Sequence, residues 1–331
     1  MWFAAFLLPF YFYLLPFHRL SHTLVCIVST SDESGSLVEL PAHTRVALGQ
    51  EHAASLAPSA EINPNNPPWG MVAGLLTWLG SVLLLFGISL LFIIPYIALR
   101  FPGGTKQELE QFLTTDKTAV LLQILAAFPA HLLTLGIVWA VVTRFGKRPF
   151  WRSLGFTWSK RVGFWTSAGL AVGLLAMGLL LTKLIGGEPT QIDQIVSNST
   201  ASRYTLALLA ATTAPFVEEL VYRGVLYSAL QKAAGMLWAI VGVSFLFTLV
   251  HVLQYYNNIG VIIVISMLSI SLTLVRAFTG RLLPCFIMHL IFNGIQSVLI
   301  IVEPYLPRSV PDVEQKAPAL VMLARSVRHL I

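Results

Sequence analysis

Two stretches of this 331-residue chain, 70–99 and 118–143, contain no Asp, Glu, Lys or Arg. About 20 consecutive apolar residues suffice to cross a bilayer as a helix, and only a helix or a closed barrel satisfies its own backbone hydrogen bonds in hydrocarbon. The rest of the chain fits the same solvent: 56% of residues are apolar and 11% charged, against roughly a quarter charged in soluble domains. A soluble two-domain enzyme, a disordered chain and a disulfide scaffold are thereby excluded. Cys26 and Cys285 stand far apart, and no closely spaced Cys/His set suggests a zinc finger or redox pair.

Hydropathy places spans at 70–99, 118–143, 163–185, 204–230, 236–256, 259–279 and 282–302. The expected fold is all-α, a polytopic transmembrane helical bundle of about seven to eight spans. Residues 1–69 read as an apolar segment followed by a polar linker ending in 63-NPNNPP-68; a start codon placed too early would look the same, because Met71 opens the first span. Residues 70–302 form the helical domain and 303–331 a tail, whose apolar stretch 317–331 could lie on the membrane surface. The net charge of +6 reads as topological, with no nucleic acid as partner: the 144–162 connection carries Arg144, Lys147, Arg148, Arg152, Lys160 and Arg161, whereas 186–202 up to its last residue has no Lys or Arg. The positive-inside rule makes 144–162 cytoplasmic, with Lys232, Arg276 and Arg281 on the same side, in an integral, multi-pass protein.

Against this background, the charges inside 204–230 stand out: Glu218, Glu219 and Arg223. A charge at the bilayer centre costs at least about 2.5–3.5 kcal/mol, so such groups need partners or a wet cavity. Glu219 and Arg223 are four apart with the acid first, the favourable order for an ion pair within one helix. Glu218 lies about 100° around the helix and need not share that partner. A carboxylate without its own cation in a water-poor site is suited to general-base work. The triplet fits a purely structural packing network equally well.

Three further polar residues interrupt apolar spans: His251, His289 and Asn293, with Gln296 continuing the stripe begun by the last two. At 1.5 Å per residue, Glu218 and His251 fall roughly 20 and 24 Å from the turn at 231–235, and Asn293 roughly 16 Å from Leu282 on a helix entering from the same side. One layer can therefore hold a base, two imidazoles and an amide. His131 reads as an interhelical hydrogen bonder, and Gln254, Tyr255, Tyr256, Asn257 and Asn258 as an interfacial turn. Pro215 can kink its helix without any functional meaning.

EELVYR at 218–223, FTLVH at 247–251 and HLIFN at 289–293 resemble, in order and separation, the three motifs of the CAAX-processing endoprotease and bacteriocin-processing membrane family. The likeness covers about 70–302. It implies an intramembrane endopeptidase acting on a membrane-associated protein or peptide in the lipid bilayer. Carried over, Glu218 would activate water, His251 would orient it, His289 and Asn293 would stabilise the oxyanion, and Glu219 with Arg223 would support the site. No cofactor is required by this scheme, although Glu218, His251 and His289 could also supply three ligands to a divalent metal such as zinc, leaving a position for water. Two other classes fit the same polar layer: a non-catalytic immunity or interaction protein of this fold, and a proton-coupled transporter. The transporter is disfavoured because no inverted repeat is apparent.

Overall fold

The computed structural model describes residues 62–185 and 190–306, and those from Asn63 onward belong to one compact unit. The described residues contain helices and no strand. In chain order these are α1 (Met71–Arg100), α2 (Lys106–Thr115), α3 (Lys117–Leu125), α4 (Ala127–Thr143), α5 (Phe150–Leu154), α6 (Phe164–Ile185), α7 (Gln191–Asn198), α8 (Thr200–Ala211), α9 (Thr213–Glu219), a π-helical turn (Leu220–Leu226), α10 (Tyr227–Ala234), α11 (Met236–Tyr255), α12 (Ile259–Thr279), α13 (Leu283–Val302) and a final 3₁₀ turn (Glu303–Tyr305). Each of the seven expected spans is present, with α3 and α4 sharing one span and α8 through α10 another; six are long and apolar enough to cross a membrane, and α11 is the shorter apolar helix. Any contribution of 1–61 or 307–331 to an eighth span, including the 317–331 stretch, lies outside the described residues.

The outer helices carry their apolar side chains outward. In α1 the buried positions are Gly74, Thr77, Ser81, Ser89 and Ile93, while Val72, Leu76, Leu83, Leu91 and Leu99 are exposed. α6 repeats the pattern, burying Ser167, Ala171, Leu175, Gly178 and Thr182. Small residues let helices approach closely where lipid replaces water outside the bundle. A Cβ on Gly74 would sit 2.8 Å from that of Ala229.

The segment from α9 to α10 runs through the middle of the bundle: every residue from Leu220 to Ala229 is buried. α11 and α12 form an antiparallel pair beside it, α13 packs against α6 and α8, and α1 packs on α4 and the π-helical turn.

The end of the expected linker is not a linker. Asn63–Trp69 lies as a strap across the end of the bundle beside the basic loop. Arg144 donates to the carbonyl of Pro68 (2.7 Å), Lys232 to that of Pro67 (2.7 Å) and Arg276 to that of Pro64 (3.2 Å). Trp69 is buried and its indole N–H reaches the carbonyl of Val225 at 3.1 Å. Proline supplies a carbonyl without a competing N–H, so a Pro-rich segment offers acceptors to cations. Gly155 and Gly280, both at positive φ, close the basic loop and the α12–α13 turn against this strap; a Cβ on Gly155 would meet the Gly280 carbonyl and Pro64 at 2.9 Å.

Candidate active site

Pro215 decides where the central helix bends. It has no N–H for the carbonyl of Ala211 and its ring crowds that carbonyl, and the helix breaks at Thr212 (φ −132°, ψ −83°). The chain restarts one turn before the two glutamates. After Glu219 it widens into the π-helical turn, in which Tyr227 N–H returns to the carbonyl of Tyr222. Such turns release a backbone carbonyl from the ladder and concentrate at functional sites. Here the carbonyl of Arg223 accepts a bond from Arg276 Nε at 3.1 Å.

Arg223 and Glu219 pair as expected, Nη1 to Oε1 at 3.0 Å, with both side chains almost fully buried. The remaining guanidinium donors are also used: Nε reaches Thr273 Oγ1 (3.3 Å), and Nη2 reaches Ser269 Oγ (2.9 Å) and its carbonyl (3.0 Å). The cation also lies 4.7 Å from the centroid of the Phe247 ring. A buried charge is tolerated when its hydrogen-bonding capacity is filled in this way.

His289 changes the expected division of labour between the glutamates. Its Nδ1 donates to Glu219 Oε1 at 2.8 Å, and its Nε2 lies 3.8 Å from Glu218 Oε2. The imidazole therefore stands between the two carboxylates. Glu219 is both the partner of Arg223 and the group that orients His289. Glu218 keeps 15% of its side chain exposed, against 1% for Glu219, and so is the carboxylate that faces open space.

That space is a cavity of about 140 Å³ lined by Glu218, His251, His289 and Asn293, together with Phe247 and Gln296. The layer inferred from helix lengths is thus assembled from α9, α11 and α13. His251 Nδ1 donates to the carbonyl of Phe247 (2.7 Å), making Nε2 the acceptor nitrogen of the neutral ring. The same Phe247 ring stacks on His251 (centroids 4.5 Å apart) and meets His289 edge-on at 6.2 Å. Asn293 is half-buried at the cavity wall. Gln296 instead bonds back to the carbonyl of Phe292 at 3.1 Å.

Among the described residues no group of three His, Cys, Asp or Glu side chains converges to hold an ion. His131 is hydrogen-bonded to Thr213 Oγ1 at 3.0 Å, the expected interhelical contact. The sequence reading missed three things. Phe247, inside a quoted motif, holds both imidazoles and the guanidinium, and its position one turn before His251 was the available signal. Arg276, assigned to the basic rim, is fully buried, donates to Asn65 Oδ1 at 2.7 Å and lies 5.3 Å from the Tyr227 ring centroid. Gln254, Tyr255 and Asn258 are buried cavity residues, which leaves Tyr256 and Asn257 exposed at the turn.

Residues 200–295, which contain all six of these charged and polar site residues, match the model of the type II CAAX prenyl endopeptidase Rce1-like family. Over that stretch the chain is similar to the CAAX-protease family. Among curated proteins and among solved structures, none matches. With its six long apolar helices, this CAAX-protease-like chain is an integral membrane protein.

Proposed function

We propose that the protein is an intramembrane endopeptidase that hydrolyses a peptide bond of a membrane-associated protein or peptide, with water activated by Glu218. The observation that carries this reading is the convergence on one cavity of an open carboxylate, two oriented imidazoles and a side-chain amide. Water between Glu218 and His251 loses its proton to the Glu218 carboxylate while His251 Nε2 fixes its orientation. The attacked carbonyl oxygen becomes an oxyanion, for which Asn293 and His289 are the donors. Nδ1 of His289 is committed to Glu219, so Nε2 is the nitrogen left on the Glu218 side of the ring. Glu218 then delivers its proton to the departing amine. Arg223 holds Glu219 in place.

No step of this scheme calls on a metal. The basic loop 144–162 is assigned to the cytoplasmic side. The test is cleavage of a proteome-derived peptide library by purified protein. Glu218→Ala and His251→Ala each lower the rate by about 10²–10⁴ with folded protein retained, and a chelator leaves the wild-type rate unchanged. Cleavage that survives Glu218→Ala would remove this mechanism, whereas biological activity that persists in Glu218→Ala would favour the immunity or interaction protein.

A further inference from the structure

Glu218 and Glu219 are the last residues before the π-helical turn, so the geometry of that turn decides where both carboxylates point. A π turn carries one residue more than an α turn, and one residue is about 100° of rotation about a helix axis. Tyr227, Ser228 and Ala229, just after the turn, are fixed in the bundle: all three are fully buried, and Gly74 of α1 packs against Ala229. Relaxation of the turn to α geometry would therefore rotate the segment before it and carry Glu218 and Glu219 away from His289.

Two carbonyls of the turn accept side-chain donors from distant parts of the chain. Arg223 accepts from Arg276 Nε at 3.1 Å, and Val225 accepts from the Trp69 indole N–H at 3.1 Å. Arg276 is fully buried, and the strap holds its other two nitrogens: Nη1 donates to Asn65 Oδ1 at 2.7 Å and Nη2 to the Pro64 carbonyl at 3.2 Å. Both fastenings of the turn thus lead back to the strap. From Asn65 a run of bonds passes through Arg276 to the Arg223 backbone, and from the Arg223 guanidinium through Glu219 to His289 Nδ1. The bonds from Lys232 to Pro67 and from Arg144 to Pro68 hold the same strap from residues outside the turn. The strap can therefore be loosened with or without touching the turn. A misplacement of about 1 Å at reacting groups costs up to about 10²-fold in rate.

We propose that Asn65 and Trp69 of the strap, together with Arg276, are positioning residues for the reaction: they hold the π-helical turn in register and so keep Glu218 facing the cavity and Glu219 on His289. This rests on the endopeptidase reading above. The test is steady-state kinetics on a library peptide that the wild-type protein cuts, with Tm in detergent measured alongside. Asn65→Leu removes an acceptor of Arg276, and Trp69→Phe removes the donor to Val225 while keeping a ring. Each lowers kcat about tenfold with KM within about twofold. Asn65→Asp, which keeps an acceptor for the guanidinium, stays within about twofold of the wild-type kcat. Lys232→Met and Arg144→Met, at exposed positions, remove the strap bonds outside the turn and leave kcat within about twofold, whatever they do to Tm. Wild-type kcat in both Asn65→Leu and Trp69→Phe, or an equal fall in these two and the two control variants, overturns the positioning role and makes the strap plain scaffold. An Asn65→Asp protein as slow as Asn65→Leu overturns it too. Loss of cleavage in Glu218→Ala would meanwhile leave the endopeptidase reading standing, and a wild-type protein that cuts nothing removes both.

Discussion

Glu219 is the residue on which the others depend. It accepts from Arg223 and from His289 on the same oxygen, so it fixes which nitrogen of His289 is left for substrate. His289→Ala is expected to lower kcat about 10²–10³-fold by removing an oxyanion donor, measured by steady-state kinetics on a cleaved peptide. Asn293 makes a separate prediction. Asn293→Ala removes one oxyanion donor, which is worth about 10²–10³ in kcat with little change in KM, measured by steady-state kinetics on a cleaved peptide. The site residue types were legible from sequence because charge and amide groups are conspicuous in apolar spans. Their bonds were not, since Glu219 and His289 are 70 positions apart.

Among the elements, the π-helical turn and the strap form one device. The Arg223 carbonyl in the turn accepts a bond from Arg276 of α12, and the same guanidinium holds Asn65 and Pro64 of the strap. The backbone that carries the two glutamates is thereby tied to a segment more than 150 residues earlier, as the Trp69 to Val225 bond also shows. Arg276→Met leaves these acceptors unpaired. With each buried unsatisfied group costing about 1–3 kcal/mol, a loss of about 3 kcal/mol and a clear fall in Tm in detergent are expected. Arg281→Met, at an exposed position, serves as the control and stays within about 0.5 kcal/mol. Equal Tm values for the two would mean that Arg276 is dispensable to the fold. The strap read as a linker because its Pro, Asn and lack of periodicity carry no pattern; its order comes from cations on other elements.

For the whole molecule, the distribution of charge predicts an orientation. The 144–162 loop is basic, and Trp151, Trp158 and Trp165 on or beside it are exposed, as rings at headgroup level are. In a Cys26→Ser background, Lys147→Cys should resist a membrane-impermeant thiol reagent in intact cells and react after lysis, whereas Asn257→Cys at the other end of the bundle should react in both. The reverse labelling would invert the topology and turn the candidate site to the other face.

The spans, their number within the described chain and the layer of polar residues at one depth were fixed by sequence alone. The reason is that membrane insertion is a local matter: each helix satisfies its own backbone, so apolar length and misplaced charge can be read segment by segment. The tertiary structure decided what no segment contains. It set the imidazole of His289 between two carboxylates, buried Arg276 against the strap and made Gln254 part of the cavity wall. Those outcomes depend on groups from distant parts of the chain filling one another's hydrogen bonds in a medium with no water to do so.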